Sequence, residues 1–428
     1  MKRTLFVLMS VMMVGSILLS ACGTAATPTV APATAVPATS VPATAVPPTT
    51  AAPVTITVWH QWSGDYLTAI TAVFQQYMTD HPNVTIDLSK PDDVTASLKV
   101  AVPAGEGPDI IGWANDQIGA NALNGNIVAL GDYGIDTAFL QSTYEPAAVA
   151  GVQWNGKIWA LPESQESMAL VYNKALVTAA DLPTENTMDA WLAAIKAYYQ
   201  KTNMPLICNQ GFPGGDAYQP AAIFFAEGVP AYVDETGKGY LNTPEAIKAG
   251  QWLLDVKPYV LQEMSYDICN ADMAEGKVGG WFVGPWAIAG LDTAGIQYGF
   301  ANFGRPFVGI KTLMLTKNAV DRGNAAVAID IMKYFTSTAA QKAMTLANKT
   351  IPANTAAFKD PEVQALASIA GFGAAAANGV PMSASPYANA QWGPVGDATS
   401  AIWNGSQTPA DALAAAETAL ETAVAALK

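Results

Sequence analysis

The sequence predicts an α/β protein built from two domains. Between Val54 and Ile111, strand and helix patterns alternate, which is typical of a sheet whose strands are joined by helical crossovers. The chain from Val54 to Lys428 is also long, because single hydrophobic cores usually stop growing at ~250–300 residues. These two observations favour a pair of domains, the first of which begins with a sheet.

The first five elements follow from residue spacing. Apolar and polar residues alternate from Val54 to Trp59, the period of a half-buried strand, and apolar residues recur at helical spacing from Tyr66 to Tyr77. The predicted order is a strand at Val54–Trp59, a helix at Tyr66–Tyr77, a strand at Val84–Leu88, a helix at Val94–Val102 and a strand at Gly107–Ile111. Ligands of such sheets bind at the carboxyl ends of strands, so we expect contacts from the loops 61–65 and 113–117.

Further elements are predicted along the rest of the chain. They are a hairpin turn at Asn155–Lys157, a strand at Met168–Tyr172, helices at Met188–Gln200 and Pro244–Val256, and a strand at Val278–Val283. The last helix is predicted to begin at Thr408, because Thr suits the cap, Pro409 the first helical position and Asp411 the first turn.

The amino end has the pattern of an export signal. Lys2 and Arg3 precede the apolar run Leu5–Leu19, whose ~15 residues suit a signal-peptide core rather than a membrane span of roughly 20. Small residues and then Cys22 follow, an arrangement that resembles the lipobox of bacterial lipoproteins. We therefore predict that residues 1–21 are a cleaved signal peptide and that Cys22 carries the lipid. An ordinary cleavage site beside a chance cysteine is the alternative.

A low-complexity segment, residues 22–53, follows. It consists almost only of Ala, Thr, Pro, Val and Ser, and a five-residue unit recurs at Ala35–Thr39, Ser40–Thr44 and Ala45–Thr49. Proline at this density favours an extended spacer, and such a segment has too little apolar area to form a core. We expect a stalk that holds the folded part away from the membrane.

Charge and cysteine content limit the partners. The formal charge of -14 argues against nucleic acid or anionic lipid as a partner, so the membrane is expected to contact the protein through the lipid anchor alone. Besides Cys22, the chain has Cys208 and Cys269. In an oxidising exterior these two either form a disulfide or remain as buried thiols.

Residues for catalysis or metal binding are scarce. The two histidines, His60 and His81, fit no nucleophile pattern, and no Cys/His spacing suits zinc. The pair Asp92 and Asp93 suits a helix start better than a cation site. The sequence therefore predicts neither a metal nor a cofactor, and we expect no enzyme activity.

Tryptophans follow several of the predicted strands. The chain has 11 Trp, of which Trp62, Trp113 and Trp286 lie in loops after strands and Trp392 in an irregular region. The faces of such rings pack against the C–H patches of sugars, and the Asn-Asp-Gln run after Trp113 offers partners for hydroxyl groups. Each ring taken alone is equally consistent with a structural role at the rim of a domain.

Six segments together resemble the maltose-binding proteins of bacterial ABC importers. They are Gly107–Gly119, Trp154–Pro162, Leu170–Lys174, Gly284–Ala287, Arg305–Gly309 and Gly405–Leu413. The matches keep one order over nearly all of Val54–Lys428. The resemblance implies the two-lobed periplasmic-binding-protein fold of type II, with the ligand bound between lobes that are joined by a three-segment hinge.

The resemblance also implies the limits of the lobes and the main site residues. The amino-terminal lobe is expected at 54–163 plus 311–358, the carboxyl-terminal lobe at 168–307 plus 361–428, and the hinge at 164–167, 308–310 and 359–360. Trp113, Trp286 and Trp392 match the ring-stacking tryptophans of the family. Asp116 matches its hydroxyl-binding Asp, and Glu166 matches a hinge carboxylate that touches sugar.

Four further residues are predicted to touch the ligand where the chain departs from the family. Gln117 stands where the maltose binders have Arg, and Trp62 and Asp65 lie in a first loop that lacks the usual Asp-Lys pair. The Glu and Tyr that the family has in the region 209–215 are absent here, and Phe212 is the nearest aromatic residue. Gly393 replaces the second aromatic residue that the family has after Trp392. The tryptophans that stack on sugar rings are kept, whereas several polar residues that would bond sugar hydroxyls differ from those of the family. This combination predicts a neutral sugar or oligosaccharide without specifying maltose.

The sequence thus predicts a monomeric, lipid-anchored sugar receptor at the outer face of the cell membrane or in the periplasm. The receptor is expected to capture a maltose-like sugar or oligosaccharide and to deliver it to the transmembrane permease subunits of an ABC importer. A binding protein for a sensor or chemoreceptor is one alternative. An extracellular carbohydrate-active enzyme is the other.

Overall fold

The computed structural model describes residues 52–427, so the predicted signal peptide, Cys22 and most of the predicted stalk lie outside the described residues. The strands are β1 (Val54–His60), β2 (Val84–Ser89), β3 (Ile110–Ala114), β4 (Gln153–Trp154), β5 (Lys157–Ile158), β6 (Ala160–Glu166), β7 (Ala169–Asn173), β8 (Gly280–Val283), β9 (Tyr298–Ala301), β10 (Phe307–Leu315), β11 (Ile351–Pro352) and β12 (Val380–Pro381).

The helices accompany two larger sheets and the two-stranded sheet of β4 and β5. They are α1 (Gly64–Asp80), α2 (Val94–Ala104), α3 (Ile118–Leu123), α4 (Thr137–Thr143), α5 (Pro146–Gly151), α6 (Met188–Thr202), α7 (Ala221–Ala226), α8 (Pro244–Val256), α9 (Tyr266–Ala274), α10 (Ile288–Thr293), α11 (Lys317–Asp321), α12 (Ala325–Phe335), α13 (Thr338–Asn348), α14 (Thr355–Phe358), α15 (Pro361–Gln364), α16 (Ala367–Asn378), α17 (Trp392–Asn404) and α18 (Pro409–Ala425).

The larger sheet has the strand order β11-β6-β10-β3-β1-β2, and β12 pairs with the start of β10. Strand β1 pairs in parallel with both β2 and β3, so the predicted alternation of strands and helical crossovers is confirmed. Strand β10 returns antiparallel to β3 and β6. As a result, the carboxyl end of β3 lies next to the middle of β10, and the carboxyl end of β1 lies one strand further away.

A smaller antiparallel sheet, in the order β8-β7-β9, forms the centre of the second half of the molecule. Two hydrophobic clusters accompany the sheets. One packs Ile56, Ile110 and Leu313 from the larger sheet, and the other packs Leu170 and Phe282 from the smaller one. Two separate cores are what a two-lobed chain of this length requires. We refer to them below as the first core and the second core.

Local signals set the helix ends that the sequence predicts. The Thr408 side chain accepts a hydrogen bond from the backbone N–H of Asp411 and so caps α18, and Asp93 caps α2 through the backbone N–H of Ala96. Asp93 therefore serves a helix start, as predicted. Asn155 has a φ of 50°, which forms the tight turn between β4 and β5.

Two of the three predicted hinge segments are neighbours in the larger sheet. On β6 and β10, Glu166 lies opposite Gly309 and Gln165 opposite Ile310. The Asn115 side chain holds this region together, since its Oδ1 accepts from the backbone N–H of Ile310 at 3.0 Å and its Nδ2 donates to a backbone carbonyl at 2.8 Å. The third segment, 359–360, lies between α14 and α15.

Cys208 and Cys269 form a disulfide, with their Cα atoms 5.6 Å apart, and both side chains are fully buried. Of the two alternatives left by the sequence, pairing is therefore the observed one. The bond attaches α9 to the second core. Within residues 52–427, no helix combines the length and the apolar character that crossing a membrane requires.

Candidate ligand-binding site

Two cavities lie side by side between the first and second cores. Their volumes are about 450 Å³ and 480 Å³, and small-molecule sites generally occupy ~300–1,000 Å³. Both cavities are lined by Gln61, Glu166, Trp286 and Lys311. Because they share these walls, we treat them as the first and second halves of one cleft.

Three tryptophans line the first half of the cleft. Trp113 lies near the end of β3, Trp286 in a short helical turn at Pro285–Ala287, and Trp392 at the start of α17. Trp286 packs so closely on Gly284 that a Cβ there would lie 2.1 Å from the ring, so glycine at 284 is what permits this ring position. The three residues line the cleft from both sides, since Trp113 packs against the first core and Trp286 and Trp392 against the second.

The Asp116 carboxylate lies beside these rings and is only 5 % exposed. Its Oδ2 accepts hydrogen bonds from the indole Nε1 of Trp392 and from the Gln117 amide, both at 2.9 Å. Its Oδ1 is buried and finds no partner among the described residues. Burial raises the pKa of Asp116, and the bonds from Trp392 and Gln117 oppose this rise. Oδ1 is therefore available to accept from a ligand hydroxyl.

Glu166 and Lys311 form an ion pair where the two halves of the cleft meet. The Nζ atom of Lys311 lies 3.2 Å from Oε2 of Glu166, and the carboxylate is 8 % exposed. Behind the pair, the Tyr66 hydroxyl donates to Glu163. Burial raises the pKa of Glu163 to about 7, whereas the bond from Tyr66 and the charge of Lys311 act in the opposite direction.

The structure brings Tyr218, rather than the predicted Phe212, to the cleft. Phe212 is fully buried in the second core against Trp252 and Trp403, so its prediction as a ligand contact is wrong for this structure. Tyr218 follows a turn in which the Asp216 carboxylate accepts from the backbone N–H of Tyr218 at 2.8 Å. A sequence signal for this turn exists in Asp216 itself, because Asp side chains commonly accept a hydrogen bond from the backbone N–H two residues on.

Trp62 also departs from its prediction. The ring is only 2 % exposed and belongs to the first core, where it lies 4.9 Å from His60 and 5.9 Å from Phe335 between centroids. The residue still borders the second half of the cleft, but its small exposed fraction leaves little of it there for a ligand. A Cβ at Gly112 would come within 2.5 Å of the ring, so glycine makes this burial possible. Asp65 lies in the first turn of α1, and its side chain is not described.

Gln117 supports the site from behind and does not line either half of the cleft. Its Nε2 donates to Asp116 at 2.9 Å and to Oδ1 of Asn389 at 3.1 Å. The residue instead lines a separate cavity of about 340 Å³ beside α3 and α18. The prediction of direct ligand contact is thus corrected to a supporting position, because the amide of Gln117 is engaged by Asp116 and Asn389.

Sequence reasoning missed several lining residues. Lys311, Gln61, Tyr218, Tyr266 and Asn270 all line the cleft, and none of them was predicted individually as a ligand contact. Gln61 lies in the loop 61–65, where ligand contacts are expected because the loop follows the carboxyl end of a strand. Its amide nitrogen is buried without a partner among the described residues. Lys311 carried a weaker signal, as a charged residue inside an otherwise apolar strand.

The chemistry of the cleft is that of binding. Aromatic rings and buried hydrogen-bonding atoms without a partner among the described residues line the same cleft, which suits a ligand that has both apolar faces and hydroxyl groups. Among residues 52–427, no three His, Cys, Asp or Glu side chains cluster as a metal site would need. Of the nine predicted contacts, Trp113, Asp116, Glu166, Trp286 and Trp392 are gathered around the first half of the cleft.

Comparison with known proteins gives a family match and relatives over most of the chain. Residues 72–371 match the family described as bacterial extracellular solute-binding protein. The maltotriose-binding protein of Pyrococcus abyssi (strain GE5 / Orsay) is 29% identical over 353 residues, which cover 79% of this chain and 75% of that protein. The galactooligosaccharide-binding protein of Bacillus subtilis (strain 168) is 25% identical over 351 residues, covering 75% of this chain and 78% of that protein.

A solved structure shows the same fold. The maltose/maltodextrin-binding domain of Bdellovibrio bacteriovorus, bound to maltotriose, matches with a TM-score of 0.76 at 21% identity, over 86% of this chain and 99% of that one. A structural match at 21% sequence identity indicates a shared fold. The prediction of a two-lobed α/β periplasmic-binding-protein fold of type II is confirmed.

Proposed function

Because this chain belongs to the bacterial extracellular solute-binding protein family, we propose that it captures a maltose-like oligosaccharide in the cleft and delivers it to an ABC importer. The observation that carries the proposal is the arrangement of Trp113, Trp286 and Trp392 around the unpaired Oδ1 of Asp116. Rings of this kind pack on sugar faces, and the carboxylate accepts from a hydroxyl. The sugar-binding names of the relatives support the same ligand class.

The mechanism follows from contacts on both sides of the cleft. Trp113 and Asp116 belong to the side of the larger sheet, whereas Trp286 and Trp392 belong to the other side. A sugar that touches both sides favours the closed arrangement, since it binds that arrangement better than an open one. The closed form then docks on the permease subunits, and the chain itself performs no catalysis.

Titration of the purified protein with a sugar panel tests this function. We expect maltotriose to bind with a change in Trp fluorescence, and chromatography of the mixture to recover the sugar intact. A galacto-oligosaccharide and a sugar acid serve as comparison ligands. Binding of no neutral oligosaccharide would overturn the proposal, and turnover of the sugar would favour the carbohydrate-active enzyme instead.

We further propose that the lipid on Cys22 anchors the receptor, with residues 22–53 as its stalk. The apolar run before Cys22 and the small residues beside it support this step. Replacing Cys22 with alanine is expected to move the protein from the membrane fraction to the soluble fraction, as followed by immunoblotting. A Thr50→Ala variant, also ahead of the folded part, serves as the control. Membrane retention of Cys22→Ala would contradict the anchor.

The closed form has two candidate partners, an ABC importer and a sensor system, and deletion of the gene distinguishes them. If the importer is the partner, deleting the gene should abolish uptake of labelled maltotriose by the cells. Unimpaired uptake together with lost chemotaxis would favour the sensor or chemoreceptor alternative.

A further inference from the structure

One charged side chain lies at the centre of the cleft and was not predicted to contact the ligand. Lys311 stands on β10 opposite Ala114 of β3 and Ser164 of β6. Its side chain is 17% exposed and lines both halves of the cleft. Among the described residues that line the two halves, it is the sole cation. Its position at the floor means that a ligand in either half comes close to it.

One carboxylate contacts this ammonium group, and the charge of the group acts on two others. Glu166 pairs with it directly, with 3.2 Å between Nζ and Oε2. The charge of Lys311 also lowers the pKa values of Asp116 and Glu163, both of which burial raises. Lys311 therefore favours the ionised, hydrogen-bond-accepting form of the carboxylates around it.

The hydrogen-bonding capacity of the group is only partly used inside the protein. An ammonium group carries three N–H donors, and the pair with Glu166 uses one of them. Asp116 leaves Oδ1 without a partner among the described residues. A sugar hydroxyl can accept one bond and donate another, so it fits between an ammonium donor and a carboxylate acceptor.

We propose that Lys311 is a specificity-determining residue of the cleft, which donates to the oxygen of a sugar hydroxyl while Asp116 or Glu166 accepts the hydroxyl proton. This inference rests on the proposed function and deepens it. The cleft selects sugars that bear a hydroxyl at that place, because a sugar lacking it leaves an N–H of the ammonium group and a carboxylate oxygen in the cleft without the partner that the hydroxyl would supply. It also selects against sugar acids, whose carboxylates meet those of Asp116 and Glu166.

The test combines variants of Lys311 with monodeoxy analogues of maltotriose. Lys311→Met keeps the length of the side chain without its donors, and Lys311→Gln keeps an N–H donor without the charge. Lys317→Met is the matched control, because Lys317 pairs with Asp321 on the surface, away from the cleft. Thermal unfolding checks that each variant is folded, and titration calorimetry gives the dissociation constants.

For the unaltered protein and for Lys317→Met, we expect one deoxy position to weaken binding at least tenfold. Lys311→Met should bind intact maltotriose at least tenfold more weakly and should lose less than twofold further at that same position. Lys311→Gln should regain part of the discrimination, and it decides the question if the Met variant does not fold.

Two results overturn the inference, and they are distinguishable. If the unaltered protein binds maltotriose but Lys311→Met discriminates among the analogues as the unaltered protein does, or Lys311→Gln changes neither the affinity nor the discrimination, Lys311 does not read the hydroxyl. If the unaltered protein binds no neutral sugar at all, the proposed function fails and this inference fails with it.

Discussion

Replacing Trp286 with alanine is expected to weaken the binding of maltotriose at least tenfold. Trp286 lines both halves of the cleft, so its ring can contact the sugar over a larger area than Trp113 or Trp392, which line one half each. An aromatic ring contributes about 0.5–1.5 kcal/mol beyond the burial of its area. Because a tenfold change in affinity corresponds to about 1.4 kcal/mol, the loss of contact area and stacking together should reach that factor. Titration calorimetry measures it.

Trp154→Ala is the matched control for this experiment. Trp154 is a partly buried tryptophan on β4, lies 6.3 Å from Trp159 between ring centroids and lines neither half of the cleft. Its replacement is expected to leave the affinity for maltotriose within twofold. Equal affinities of Trp286→Ala and the unaltered protein would show that the ring does not stack on the ligand.

Replacing both Cys208 and Cys269 with alanine is expected to lower the free energy of unfolding by about 4 kcal/mol. The disulfide closes a segment with a sequence separation of 61, and cross-linking such a loop restricts the unfolded chain. Helix α9 depends on this bond, because Cys269 and Met273 are its buried residues. Denaturant unfolding of the two proteins measures the difference.

The disulfide also has a consequence at the cleft. Tyr266 and Asn270 of α9 line its second half, so a loosened α9 should weaken binding of longer sugars more than that of short ones. An unchanged unfolding midpoint in the double alanine variant would contradict the stabilising role. A single Cys269→Ala variant, which loses the same cross-link, should show the same loss and thereby exclude an effect of Cys208 alone.

The elements that the sequence predicts are those with a local signal. The alternation in β1, the helical spacing in α1 and the caps of α2 and α18 depend on residues close in the chain, and all of them appear in the structure. The pairing of β10 with β12 joins residues more than 70 positions apart. No local pattern marks such a two-residue strand, since its pairing is decided by the packing of the whole molecule.

The sequence indicated some of the aromatic residues that line the cleft, but it did not indicate which loop tryptophans are buried instead. Trp113 and Trp286 were found because they follow strands in segments that resemble a family, yet Trp62 follows a strand in the same way and is buried. The sequence does not distinguish a loop ring that faces a cavity from one that fills a core. What separates them is the space beside the ring, such as the missing Cβ of Gly112 that admits Trp62. The residue limits of the lobes and the movement of the hinge stay predictions.

A crystal structure of the protein with maltotriose tests the central claim most directly, namely that the cleft between the two cores binds the sugar. We expect sugar rings stacked on Trp286 and Trp392, with a hydroxyl within hydrogen-bonding distance of Oδ1 of Asp116 and another near Nζ of Lys311. Sugar bound outside the cleft, or a cleft in which Asp116 Oδ1 still has no partner, would contradict it.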